Sequence, residues 1–227
     1  MKKLSITLSA LTILIMFSYV FLNFSDIITN PSVTGKPIVN TTLYVYTFNE
    51  SICNQRFEDG WNLVSFPCLA NDLPTDLVFQ DLNVSFNLRT YIASDSVDPW
   101  KGYNPSLPSW VINDLSDVSR ESGYWVYVTN TTLFVFNNSL RTPTSIALVP
   151  GWNLVGYPSR SDQDMDSTFN QLIPNFDYVY LYNASDTDKW KEYTWNSSLP
   201  SNQDLNYTVR YYGYWIFMLN ADTLLIA

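Results

Sequence analysis

Histidine is absent from all 227 residues, and with it go Ser-His-Asp and Cys-His catalysis and every metal site built on imidazole. Positive charge is also scarce. Twelve lysines and arginines are spread thinly through a chain of net charge −9, which argues against nucleic acid as a partner, because displacing counterions from phosphate takes a clustered basic face. It disfavours docking on anionic lipid for the same reason. Charged residues of all kinds make up 15%, against roughly 25% in ordinary soluble domains. Glutamate occurs only at Glu50, Glu58, Glu121 and Glu192. That bears on glycosidase chemistry, which needs two acids flanking a sugar bond. The expectation is a chain that is not an enzyme and holds no cofactor and no metal.

What the chain has in quantity is apolar and aromatic surface, 46% and 16% of residues, enough to build a core and to make disorder an unfit description. It also has a repeat. Gly60-Trp61-Asn62-Leu63-Val64-Ser65-Phe66-Pro67 returns as Gly151-Trp152-Asn153-Leu154-Val155-Gly156-Tyr157-Pro158, and Gly123-Tyr124-Trp125-Val126 returns as Gly213-Tyr214-Trp215-Ile216. The offsets, 91 and 90 residues, agree. A repeat of this period points to two modules, placed at 40–140 and 141–227.

Ahead of them, Met1-Lys2-Lys3 precedes an uncharged run from Leu4 to Phe24, close to the roughly 20 residues that cross a bilayer as a helix. Basic residues before the run and an acidic chain after it place the body outside. Residues 1–24 are expected to be an uncleaved signal anchor, making the protein a single-pass membrane protein with an extracellular C-terminal body. A cleaved signal peptide and a secreted body is the alternative. Residues 25–39, with Pro31, Gly35 and Pro37, form an extended stalk.

Within the modules the pattern is mainly β. Asn40 to Tyr46, Asn130 to Phe136 and Asp222 to Ile226 are three versions of one β-branched and aromatic strand. The Gly-Trp-Asn strand ends at proline. In the second copy Phe169, Leu172 and Ile173 follow at helical spacing behind an Asp166 or Ser167 cap. Asp177 to Tyr182 and Trp190 to Tyr193 then flank turn residues as a hairpin, matched by Trp100-Lys101-Gly102-Tyr103 in the first copy. The Gly-Tyr-Trp strand is apolar on both faces, so it is expected to lie centrally and covered on both sides. Two tandem antiparallel β-sandwich or barrel-like modules, each with at most one short helix, satisfy the pattern.

Gly-Trp-Asn-Leu-Val-Gly-Tyr-Pro, followed by a Trp-x-x-Tyr hairpin and Gly-Tyr-Trp-Ile, resembles the repeat modules of archaeal and bacterial cell-surface and secreted proteins. The resemblance covers nearly all of the chain from residue 40. It implies surface display, and it carries no catalytic residues.

Four groups of residues are candidates for chemistry or attachment. Cys53 and Cys68 flank the first Gly-Trp strand, and in an oxidising exterior they form a disulfide; two buried thiols are the alternative. Asp162-Gln163-Asp164-Met165-Asp166 has alternating carboxylates, but Ser167 and Ile173 stand where a calcium loop needs glycine and glutamate, so it reads as a solvated acidic loop. Asn40, Asn49, Asn83, Asn130, Asn137, Asn183, Asn196 and Asn206 each head an Asn-x-Ser/Thr sequon and are glycosylation candidates on an exported chain. Trp100, Tyr103, Trp190 and Tyr193 lie in the matching hairpins; core packing is the weightier reading of such strand aromatics, and a platform for sugar faces is the alternative. Trp110 and Trp195 have no obvious double and read as peripheral. The function expected from all this is a membrane-anchored, glycosylated extracellular surface protein with a structural or adhesive role. Its partners would be the membrane through the N-terminal helix, and glycans or other surface proteins. A pair of carbohydrate-binding modules is the alternative, and a glycosidase the weaker one.

Overall fold

In a computed structural model of the chain, the residues described are 52–108, 110–111, 113–137, 143–159 and 161–226. The expected anchor at 1–24, the stalk at 25–39 and the strand beginning at Asn40 lie outside them. Among the described residues no helix is long and apolar enough to cross a membrane.

The first repeat runs β1 (Ile52–Phe57), β2 (Gly60–Val64), β3 (Leu73–Pro74), α1 (Thr75–Phe79), β4 (Phe86–Tyr91), β5 (Trp100–Tyr103), β6 (Asp117–Val118), β7 (Tyr124–Val128) and β8 (Thr132–Asn137). In the second come β9 (Thr144–Leu148), β10 (Gly151–Val155), β11 (Gln163–Asp164), α2 (Met165–Phe169), a short 3-10 turn at Asn170–Leu172, β12 (Phe176–Tyr182), β13 (Trp190–Tyr193), β14 (Tyr207–Thr208), β15 (Tyr214–Met218) and β16 (Asp222–Ile226). Each repeat builds one four-stranded antiparallel sheet, β2-β7-β4-β5 or β10-β15-β12-β13, and two two-stranded sheets, β1-β8 with β3-β6 or β16-β9 with β11-β14. The strand orders are the same in the two repeats. The described residues are thus mainly β, in small open antiparallel sheets, and none of these closes into a barrel.

The Gly-Trp-Asn motif makes the corner between sheets. Gly60 and Gly151 sit at φ +94°, in the left-handed region where a Cβ is strained. Two residues on, the buried Asn62 amide donates to the carbonyls of Glu58 and Gly60 at 2.7 and 3.0 Å while its Oδ1 accepts from Glu58 N. Asn153 repeats this with Val149 and Gly151. Each asparagine thereby satisfies the backbone groups that the turn leaves without a strand partner.

Each core lies between the inner face of the four-stranded sheet and a layer formed by the helix and a two-stranded sheet. Val64, Leu88, Tyr124, Val126, Phe79 and Phe134 meet in the first; Val155, Val179, Tyr214, Ile216, Phe169 and Leu224 in the second. The helices bury three residues each, Thr75, Val78 and Phe79 or Met165, Thr168 and Phe169, at the i, i+3, i+4 spacing of one helical face. The cap of α2 is Asp164, which accepts from Ser167 N at 3.1 Å, and not Asp166 or Ser167 as the spacing predicted. Cys53 and Cys68 are bonded, tying β1 to the segment after β2.

The two repeats join by a reciprocal set of backbone bonds. Ser65 N donates to Tyr211 O and Gly156 N to Glu121 O, both at 2.8 Å; Gly123 N donates to Leu154 O and Gly213 N to Leu63 O, at 3.3 and 3.4 Å. Each residue pair is the image of the other under exchange of repeats, so the chain carries a local pseudo-twofold. Leu63 and Leu154 belong to neither core cluster yet are buried, because each sits against the glycine that opens the other repeat's Gly-Tyr-Trp strand.

Candidate functional site

Along β7 the side chains alternate, Tyr124, Val126 and Val128 inward and Trp125 and Tyr127 outward, and β15 does the same with Tyr214, Ile216 and Met218 against Trp215 and Phe217. Both strands are central, as expected, but only one face of each is buried. The outer faces are partly open and meet each other across the pseudo-twofold.

Where they meet, aromatic rings from the two repeats interleave. Tyr91 and Trp100 of the first repeat stand 5.4 and 6.0 Å from Trp215 of the second, and Tyr182 and Trp190 of the second stand 5.1 and 5.9 Å from Trp125 of the first. Trp61 meets Trp125 edge-on at 6.3 Å, and Trp152 meets Trp215 edge-on at 6.2 Å. Such pairs add about 0.5–1.5 kcal/mol each beyond burial and hold the rings in fixed orientations. The rings are not fully covered: Trp61, Trp100, Trp152 and Trp190 keep 38, 45, 41 and 46% of their surface exposed.

Between the rings lie two clefts. One of about 500 Å³ is lined by Tyr91, Trp100, Trp152, Tyr180, Trp190 and Trp215; the other, of about 570 Å³, by Trp61, Arg89, Trp100, Trp125 and Tyr182. Trp100 lines both, so the two clefts adjoin at its ring and together make a groove whose walls come from both repeats. Each volume is in the range of small-ligand sites. Among the described residues no carboxylate lines either cleft; Glu192 lies beside the lining Tyr180, on the neighbouring strand.

The hairpins that present Trp100 and Trp190 are held from behind by matching charge cages. Lys101 Nζ lies 3.1 Å from Asp95 and 3.2 Å from Asp98, and 4.0 Å from Asp114; Lys191 Nζ lies 3.5, 3.3 and 3.5 Å from Asp186, Asp188 and Asp204. Asp114 and Asp204 also accept from the backbone N–H of Gly102 and Glu192 on the edge strands. The backbone N–H of Asp98, then Lys101, hold the Asp95 carboxyl below its usual range; for Asp186 the leading cause is the N–H of Asp188. Lys101 is raised by its bonds to Asp95 and Asp98. For Lys191 burial works downward, and Asp188 with its neighbours outweighs it. No group of three or more acidic, cysteine or histidine side chains among the described residues is arranged to hold a metal. The aspartates of 162–166 are committed singly: Asp162 accepts from Arg210 N, Asp164 caps α2, and Asp166 accepts from the Tyr193 hydroxyl.

The four aromatics singled out in the hairpins divide. Trp100 and Trp190 line the groove. Tyr103 and Tyr193, three residues on and therefore on the other face of the strand, turn inward: Tyr103 packs on the first core, and Tyr193 is 6% exposed within the second. Burial, with the bond to Asp166, pushes the Tyr193 phenol far up. Trp195 is half-buried against the second core, with its indole N–H donating to Phe176 O, whereas Trp110 is 82% exposed. The groove residues that sequence reasoning passed over, Trp61, Trp125, Trp152 and Trp215 with Tyr91 and Tyr182, carried one signal. Each recurs at matching places in both repeats on the strand face opposite the core.

Of the glycosylation candidates, Asn83, Asn130 and Asn206 are exposed. Asn183 accepts from Ser185 and from the Tyr212 hydroxyl, and Asn196 accepts from Ser198 N, so both side chains are occupied in turns. The side chain of Asn137 and all of Asn40 and Asn49 lie outside the described residues. No family model, no curated protein and no solved structure matches this chain, so the groove has to be understood from its own geometry.

Proposed function

We propose that this protein is a non-enzymatic, exported surface protein whose two repeats together form one groove that binds a sugar chain, serving adhesion. The observation that carries the reading is the shared groove. Four half-exposed tryptophans, locked edge-on by neighbouring rings, offer flat π faces around about 500 and 570 Å³ of open space. The axial C–H face of a pyranose ring is apolar and carries slight positive charge, which complements the negative face of an aromatic quadrupole. A lining without carboxylates favours holding the chain over cutting it. The leader, the sequons and the resemblance to cell-surface repeats support an extracellular setting, with residues 1–24 as the membrane anchor.

The test is glycan-array binding by the full chain in detergent, with Trp100→Ala and Trp190→Ala beside it. Binding by the parent chain, lost in both variants while the near-ultraviolet circular dichroism persists, supports the reading. Binding unaffected by both changes, or release of shortened sugar, overturns it.

A further inference from the structure

The pseudo-twofold of the groove is broken at one place, on the outer face of the inner sheet strands. Arg89 pairs with Trp125 and Gly102 in the first repeat; in the second, Tyr180 pairs with Trp215 and Glu192. Two residues earlier on the same face, Asn87 opposes Tyr127, and its equivalent Tyr178 opposes Phe217. One end of the groove therefore carries a stacked tyrosine pair, with centroids 5.9 Å apart, beside the Glu192 carboxylate, and the other an amide and a guanidinium.

The guanidinium is exposed and has no ion-pair or hydrogen-bond partner among the described residues, in a chain of net charge −9 where acids outnumber bases. Lys101, the nearest basic neighbour on the adjoining strand, is surrounded by three aspartates, so Arg89 is the cation left free at this end. The side chain of Asn87 also lacks a partner among the described residues. Both line a side cleft of about 170 Å³ that opens beside Trp100; Asp114, the acid of that cleft, is engaged by Gly102 N and faces Lys101. A planar guanidinium beside tryptophan faces is suited to a carboxylate carried on a ring, which it grips through two parallel hydrogen bonds while the ring stacks.

We propose that the groove is directional and takes an acidic sugar chain, with a uronate unit seated at Arg89 and Asn87 and neutral ring faces running toward Tyr178 and Tyr180. This rests on the sugar-binding reading above and names its ligand class.

The experiment compares the full chain with Arg89→Tyr, which copies the second repeat, and with Arg89→Gln. The probes are oligogalacturonate, the same oligomer with its carboxyls methyl-esterified, a sulfated oligosaccharide and a decaproline peptide. The expected result is oligogalacturonate bound about tenfold or more tightly than its ester, the scale of one charge-assisted bidentate contact. Both variants should lose that preference, the acid falling to the level of the ester, and the preference of the parent chain should shrink as salt rises. Equal binding of acid and ester, both dependent on Trp100, overturns the acidic-ligand assignment and leaves the sugar groove standing. Preference for the sulfated probe overturns the assignment of a carboxylate. Binding of decaproline with no sugar bound overturns both readings.

Discussion

A Cβ built on Gly213 would come within 3.2 Å of the Gly123 Cα and 2.8 Å of Val64 O, so the two glycines meet back to back where the repeats join. Neither has a positive φ. Their lack of a side chain answers to the approach of one backbone to another, and any Cβ there pushes the repeats apart.

Gly213→Ala and Gly123→Ala should each destabilise the protein by about 1–3 kcal/mol, the usual cost of forcing extra volume into a packed contact. In a chain of this size each kcal/mol lowers the thermal midpoint by roughly 2–4 °C. Calorimetry checks the first effect. Groove binding should fall in the same variants, since Trp100 and Trp190 would lose their neighbours across the joint.

Tyr193→Ala and Trp190→Ala, three residues apart, should behave oppositely. Removing the buried ring costs about 3–5 kcal/mol, while removing the half-exposed indole costs far less and abolishes binding. Urea unfolding beside a binding titration separates the two.

Tyr157 is 1% exposed, and its hydroxyl is the buried side-chain polar atom without a hydrogen-bond partner among the described residues. The first repeat has Phe66 at the same place. Tyr157→Phe should therefore raise stability, by about 1 kcal/mol, and Phe66→Tyr should lower it similarly. A stability change of the opposite sign in either variant would show that a partner for the hydroxyl exists.

The pH profile follows from the cages and from the missing histidine. Asp95 and Asp186 are depressed in the folded protein, so their contribution is complete above the unfolded value near 3.8 and is lost as pH falls through the lower folded value. Lys101 and Lys191 are raised; theirs is complete below 10.5 and is lost as pH rises through the higher folded value. With no histidine, stability should be flat from about pH 5 to 9. Thermal melts across that range check it, and a step near pH 6 would contradict it.

The disulfide has a silent counterpart. In register, Thr144 and Ser159 of the second repeat stand where Cys53 and Cys68 stand in the first, and both are buried. Thr144→Cys with Ser159→Cys should form a second bond, since the Cα atoms of the native pair are 5.5 Å apart. For a loop of this length it should contribute about 3 kcal/mol in the chain-entropy model. Intact mass before and after reduction detects it.

The duplicated Gly-Trp-Asn and Gly-Tyr-Trp strings made the repeat legible without coordinates, because they pair with each other as β2 with β7 and β10 with β15. The first core followed from the same alternation that the second did. What stayed hidden was the meeting of the repeats. Leu63 and Trp61 share a strand face, yet one is sealed by the other repeat and the other is left half open, and no local pattern distinguishes them. The match of Arg89 to Tyr180 was masked by a bulge between Phe176 and Tyr178, which shifts the offset from 90 residues at Phe86 and Phe176 to 91 at Leu88 and Val179. The cap of α2 falls at Asp164 and not at Asp166 or Ser167, because three aspartates at alternate positions compete for it.

The reciprocal joint also sets valence. A self-complementary patch that meets its own image closes on itself and leaves no matching surface for a third unit. Each repeat has spent that patch within the chain, so one chain offers one groove, where two independent modules would have offered two. Strength of attachment at a surface would then come from the number of chains displayed side by side, and should rise with their density.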